Sequence, residues 1–205
     1  MKRKELRRAQ PDTQPDTLGL MNSDQPIASS ANIVSFWLDA GPKRWFEKDE
    51  SFDAEIRERF TAAYDAAAAG KLAVWEFTPE SCLALLILLD QFPRNMFRGS
   101  AQSFATDPMA LGITKQAIAR GFDQATPMPA RQFFYLPLEH SEDLANQERC
   151  VALFRALGDA DLLKWAELHF DIIRRFGRFP HRNALLGRST TPEEQAFLDD
   201  GGFAG

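Results

Sequence analysis

The sequence predicts an all-α domain, and three observations carry that prediction. Apolar residues recur at i, i+3, i+4 and i+7 through most of the chain. β-branched residues are sparse, and alternating apolar–polar runs are almost absent. Leu, Ala, Glu, Gln and Arg dominate, all of them good helix formers. The chain has 205 residues, 44% of them hydrophobic and 17 of them Phe, which is enough for one sizeable core.

Residues 1–28 are polar, with little to bury, and read as a disordered leader. Residues 29–205 read as a single all-helical domain. Met21 offers a second translation start, so Met1 and Met21 both stand as possible beginnings. Order begins with Ser29 or Ser30 as N-cap. Ile33, Phe36, Trp37 and Ala40 follow at helical spacing, and Gly41-Pro42 is expected to stop the helix. Trp45 and Phe46 form an apolar plug behind it. A second helix starts near Asp49 or Ser51, turns Phe52, Ile56, Phe60, Ala63 and Ala67 inward, and ends at Gly70.

Thr78-Pro79-Glu80 opens the third helix. Leu83 to Leu89 are apolar on every side, which predicts a central, fully surrounded helix that stops at Phe92-Pro93. Asp90 is the first polar residue after that run. The dipole disfavours an acid at a helix C-terminus, so Asp90 is expected to have a cationic partner. Arg182 is the first choice and Arg94 the local alternative.

Thr106-Asp107-Pro108 caps a helix that reaches Arg120, and Gly121 closes it. Thr126 to Pro129 begins a short aromatic helix, Arg131 to Leu136, which Pro137 kinks or ends. Ser141-Glu142-Asp143 caps the next helix, with Leu144, Gln147, Val151, Phe154 and Leu157 at helical spacing and Gly158 at its end. Asp159 or Asp161 opens a helix whose stripe is Leu162, Trp165, Ala166, His169, Phe170, Ile173 and Phe176, stopped by Gly177. Thr191-Pro192-Glu193-Glu194 starts the last with a capping box. Seven or eight helices with short joins imply antiparallel neighbours.

Two Phe-Pro turns hold the polar chemistry. Phe92-Pro93-Arg94-Asn95 to Gly99-Ser100 and Phe179-Pro180-His181-Arg182-Asn183 to Gly187-Arg188-Ser189 share one frame. An internal repeat and a chance likeness of two short windows are both open. Side by side, the turns would gather Asp90, Gln91, Arg94 and Asn95 with Arg178, His181, Arg182 and Asn183. Glu139 and His140 lie between them in sequence. Arg forks suit a carboxylate or phosphate, and His181 or His140 can act as acid or base near neutral pH.

Three readings follow. In the first, the turns are a structural clasp, with Arg and Asn satisfying helix-end carbonyls and an Asp90 ion pair locking them. In the second, which is the function the sequence puts first, the chain is a binding or scaffold module that holds a small anionic ligand or a partner's peptide. The third is an enzyme with His181 or His140 as acid/base and Arg94, Arg178 and Arg182 on the substrate. A binder should show an open groove and histidines without carboxylate partners. An enzyme should show a closed site with a His hydrogen-bonded to Asp90, Glu139 or Glu142.

Other classes find little support. A formal charge of −5 leaves no global basic face for nucleic acid. Cys82 and Cys150 read as buried hydrophobes, and a chain without a disulfide framework suits a reducing cytoplasm. The longest apolar run, Cys82 to Leu89, is far short of a membrane span. HExxH spacing, a GxSxG elbow and Gly-rich phosphate loops are absent, so neither metal nor cofactor is expected. Glu142 and Asp143 are explained by the dipole of their helix, and His169 by a place in the core. The oligomeric state is open.

FWLD at Phe36–Asp39, LLDQFPRNMFRG at Leu88–Gly99, YLPLEHSED at Tyr135–Asp143 and RFGRFPHRNALLGRSTTPEEQAFL at Arg175–Leu198 together resemble the bacterial domain-of-unknown-function family 924. The resemblance covers about Ile33 to Leu198. It implies a tetratricopeptide-like fold, a right-handed array of antiparallel helix pairs, and it implies no reaction.

Overall fold

The computed structural model describes residues 27–203. The leader expected at residues 1–28 lies outside them except for its last two residues. The described residues form helices joined by turns, with no strand among them. The α-helices are α1 (Ser30–Phe46), α2 (Glu50–Ala68), α3 (Pro79–Leu86), α4 (Phe92–Met96), α5 (Asp107–Ala119), α6 (Phe122–Ala125), α7 (Leu136–Glu139), α8 (Leu144–Leu157), α9 (Ala160–Phe176) and α10 (Pro192–Asp199).

The central helix is where the apolar run places it. Every residue from Cys82 to Leu89 is at most 3% exposed. The α3 helix packs against α1 and α5 and against two 3-10 segments, Ala73–Phe77 and Ala130–Phe134. Trp37, Phe52, Phe92 and Phe133 fill the space around it with stacked and edge-on rings.

The first Phe-Pro does not stop this helix. Residues Ile87–Gln91 form a π turn, in which the Phe92 N–H reaches back five residues to the Ile87 carbonyl. Pro93 has no N–H for the Leu89 carbonyl, and the Thr106 hydroxyl donates to that oxygen instead, at 2.6 Å. The wider turn accommodates the proline ring, Thr106 satisfies the freed acceptor, and the chain continues helically to Met96. Thr106→Val should therefore strand a buried carbonyl and cost about 1–3 kcal/mol, read by chemical denaturation.

Several other expectations are refined. Gly41, at φ 75°, breaks α1 without ending it, and Pro42 opens a last turn that reaches Phe46. Trp45 is buried there, whereas Phe46 is 58% exposed, so the plug is Trp45 alone. Pro137 opens α7 rather than closing the element before it. Trp165 is half exposed and Ile172 is buried, which rotates the α9 stripe away from Trp165.

The α8 and α9 helices form a hairpin through Gly158, which takes the left-handed conformation at the end of α8. Ile172 and Ile173 of α9 pack with Phe179 and, at their edge, with Phe176, Phe197 and Phe203. This second, smaller apolar cluster seats the second Phe-Pro turn and α10 beside the C-terminal half of α9. His169 stands on its border.

Candidate functional site

The π turn that spares Pro93 also orients Asp90, which is 1% exposed. Its carboxylate accepts from Gln91 Nε2 at 2.6 Å and meets His140 Nδ1 at 2.8 Å. The Arg94 guanidinium lies 3.5 Å from it. Burial pushes Asp90 up, but the His140 ring and the Arg94 charge beside it, with the hydrogen bonds from His140 and Gln91, outweigh burial and hold it below the usual carboxylate range. Burial and the Arg94 charge push His140 down. An ionised Asp90 only accepts, so the neutral imidazole carries its hydrogen on Nδ1 and leaves Nε2 as a bare base. Nε2 has no hydrogen-bond partner among the described residues.

A second pair lies next to the first. His169 Nδ1 approaches the Trp165 carbonyl at 2.9 Å and Glu139 Oε1 at 3.3 Å. A carbonyl oxygen only accepts, so Nδ1 is protonated here as well. The His140 and His169 ring centroids are 6.4 Å apart. Burial, then the Asp90 charge, pushes Glu139 up to about 8. Burial pushes His169 down to about 3 and, with Arg182 beside it, His181 down to about 4. Two buried carboxylates that feel each other's charge thus take opposite states, Asp90 ionised and Glu139 protonated.

These shifts set a pH dependence of stability. Glu139 is raised above its ordinary 4.5, so its contribution is full below about pH 4.5 and lost as pH rises through about 8. His169 and His181 lie below their ordinary 6.5, so their contribution is full above pH 6.5 and lost as pH falls. Unfolding free energy should peak near pH 6.5 and then fall by up to about 1.4 kcal/mol per unit towards pH 8. Glu139→Gln should flatten that alkaline limb in a pH series of urea melts.

The two turns do meet, through a residue that the sequence had explained otherwise. Arg94 lays its fork on Asp107 at 3.1 and 3.3 Å. Arg182 donates to the His140 carbonyl at 3.1 Å and reaches Asp107 at 3.5 Å. The expected Asp90–Arg182 pair is therefore not formed. The i,i+4 geometry gives Asp90 to Arg94, and Arg182 is held away by the Phe104 and Phe179 rings that sandwich it at 4.6 and 4.4 Å. Burial, then Arg94, lowers Arg182 to about 10.

The remaining candidates lie in two side clasps. Asn95 donates to Asp53, which Arg98 also grips. Asn183 and Arg178 both donate to Glu194, and hydrogen bonds from Arg178 hold that acid at about 2. In both copies of the frame the Arg meets Asp107, and the Asn pins an acid near the start of a helix. Glu142 likewise does more than complement a dipole, accepting from Arg188 at 2.7 Å and from the Phe179 N–H at 2.8 Å. Asn95, Arg178 and Asn183 thus stand outside the histidine cluster, whereas Asp90, Gln91, Arg94, Glu139, His140, His181 and Arg182 stand in it or against it.

Sequence reasoning missed Asp107, Phe203 and the role of His169. Asp107 hides inside a helix-start motif, and Phe203 follows a Gly-Gly pair that looks like a frayed end. Phe203 lies edge-on to His169 at 4.6 Å and to His181 at 5.2 Å between centroids. His181 Nδ1, Arg182 Nε and Asn183 Oδ1 are enclosed and have no hydrogen-bond partner among the described residues. Among the described residues, no group of three or more His, Cys, Asp or Glu is arranged to hold a metal ion. Burial pushes the Cys82 thiol up to about 12, which suits an inert core residue. A surface cleft lined by Phe36, Arg44, Glu55 and Arg59 shares no residue with this cluster. No helix among the described residues is long and apolar enough to cross a membrane.

A family model described as a bacterial protein of unknown function, DUF924, matches residues 33–202. A solved structure of a protein of unknown function from Agrobacterium tumefaciens, ATU0120, is 52% identical with a TM-score of 0.82, over 84% of this chain and 97% of that one. No curated protein matches.

Proposed function

The chain belongs to the bacterial DUF924 family, and on that premise we propose that it is an acid–base enzyme acting on a small anionic substrate. The observation that carries this reading is the hydrogen bond between His140 Nδ1 and buried Asp90 at 2.8 Å. An imidazole with an ionised carboxylate behind it is fixed in one tautomer, and the imidazolium formed on taking a proton is stabilised. A pure docking surface has no use for that arrangement.

His140 Nε2 takes a proton from the substrate, and Asp90 stabilises the resulting charge without becoming protonated. Glu139 holds a proton at neutral pH beside His169, so an acid stands next to the base. Arg182, which shares the single Asp107 carboxylate with Arg94, supplies the cation for the substrate's carboxylate or phosphate, and Arg94 adds its positive field behind it. A tetratricopeptide-like arrangement of the helices and a cytoplasmic setting accompany this reading as expectations.

The test is to incubate the protein in D₂O with a panel of small carboxylated and phosphorylated compounds and follow deuterium incorporation or conversion by NMR. His140→Gln should lose about 10²–10⁴ in rate on any compound turned over, with an unchanged circular dichroism spectrum. Equal rates for the variant and the parent would sink the assignment, as would a panel of which no member is bound or changed.

A further inference from the structure

The C-terminal end of α10 is built to deliver one side chain. The Gly201 N–H bonds to the Leu198 carbonyl, and the Gly202 N–H bonds to the Phe197 carbonyl at 2.9 Å. Gly201 takes the left-handed conformation at φ 79°. A Cβ on Gly202 would collide with the Phe197 carbonyl and with its ring, so only glycine fits there. This tight stop throws Phe203 back over the histidine cluster rather than into solvent.

The ring that arrives there is a poor match for its surroundings. It offers no hydrogen bond to the His181 ring it faces, whose Nδ1 is enclosed and unpartnered among the described residues, as is Nε of the adjacent Arg182. Around the ring, the pocket is aromatic. His169 stands edge-on to both Phe179 and Phe203, and Arg182 lies over the Phe179 ring. Phe203 itself is only partly buried, and neither its N–H nor its carbonyl makes a backbone hydrogen bond among the described residues. A partly buried ring at the edge of the small apolar cluster, laid against two imidazoles and fixed by no backbone hydrogen bond among the described residues, is replaceable.

We infer that Phe203 occupies an aromatic subsite of the proposed site, and that the substrate is a small aromatic acid whose ring displaces Phe203 between His169 and His181 while its anionic group meets Arg182. The inference rests on the acid–base reading of the site, which it narrows to a substrate class. Such a ligand keeps the edge-on ring contacts and adds the acceptor that the enclosed Arg182 Nε lacks. Phe203 then competes with substrate, and apparent affinity is reduced by the fraction of molecules in which the ring is docked.

Isothermal titration with phenylacetate and with acetate tests this on the full chain, on Phe203→Ala and on a chain ending at Gly202. Phenylacetate should bind about 10-fold more tightly once the ring is removed, while acetate should bind all three alike. Phe203→Leu keeps an apolar cover and guards against a folding defect; it should tighten phenylacetate binding by about 3-fold. If acetate binds but phenylacetate binds no better to the variants than to the parent, the aromatic subsite is refuted and the anion site stands. If neither acid binds any form, both readings fall.

Discussion

Asp90→Asn is expected to destabilise the fold by about 2–4 kcal/mol, because it removes a buried charge on which the part-buried Arg94 and His140 both rely. Asp90 is 1% exposed, and its carboxylate serves three partners, His140 at 2.8 Å, Gln91 at 2.6 Å and Arg94 at 3.5 Å. The substitution keeps the volume but removes the charge and turns one oxygen into a donor facing donors. Arg94 would then depend on Asp107, which Arg182 also uses. A double-mutant cycle separates the partners. Asp90→Asn with Arg94→Gln should cost at least about 1 kcal/mol less than the sum, whereas Asp90→Asn with Arg182→Gln should come much closer to additive. Urea denaturation with an unchanged slope is the measurement. Strict additivity with Arg94 would reject the pair.

Leu86→Ala should cost about 2–5 kcal/mol. Leu86 has no exposed surface, and it stands in a run, Cys82 to Leu89, that is buried on all sides. Its neighbours come from several helices anchored by their own caps, such as Thr78 on Ser81 at the head of α3. They cannot all move inward to close the void, so a cavity term adds to the lost transfer energy. A loss below about 1 kcal/mol in the same denaturation assay would mean that the surrounding helices collapse freely, contrary to a packed central helix.

The helical class, the caps and the central helix were legible in the sequence because each depends on residues within a few positions. Asp49, Thr78, Asp143, Asp159 and Thr191 cap where they were expected to, and the Thr191–Glu194 box is closed from both sides. An apolar residue at every position from Cys82 to Leu89 can only be surrounded. The need of Asp90 for a cation was likewise a local deduction from the helix dipole.

Which cation, and what else gathers there, was decided by packing between distant segments. Pro93 continues a helix because Thr106, 17 residues from Leu89, satisfies the orphan carbonyl. Asp107 looks like any acid in a first helical turn until Arg94 and Arg182 meet on it. His140 acquires its base-like form only because α7 sets it against Asp90, 50 residues away in the chain. By itself the sequence determined the helical class, most N-terminal caps and the buried run, since capping and periodicity are local. Only the tertiary structure brought two carboxylate–histidine pairs side by side, since the protonation states that distinguish Asp90 from Glu139 arise from burial and from charges supplied by other helices.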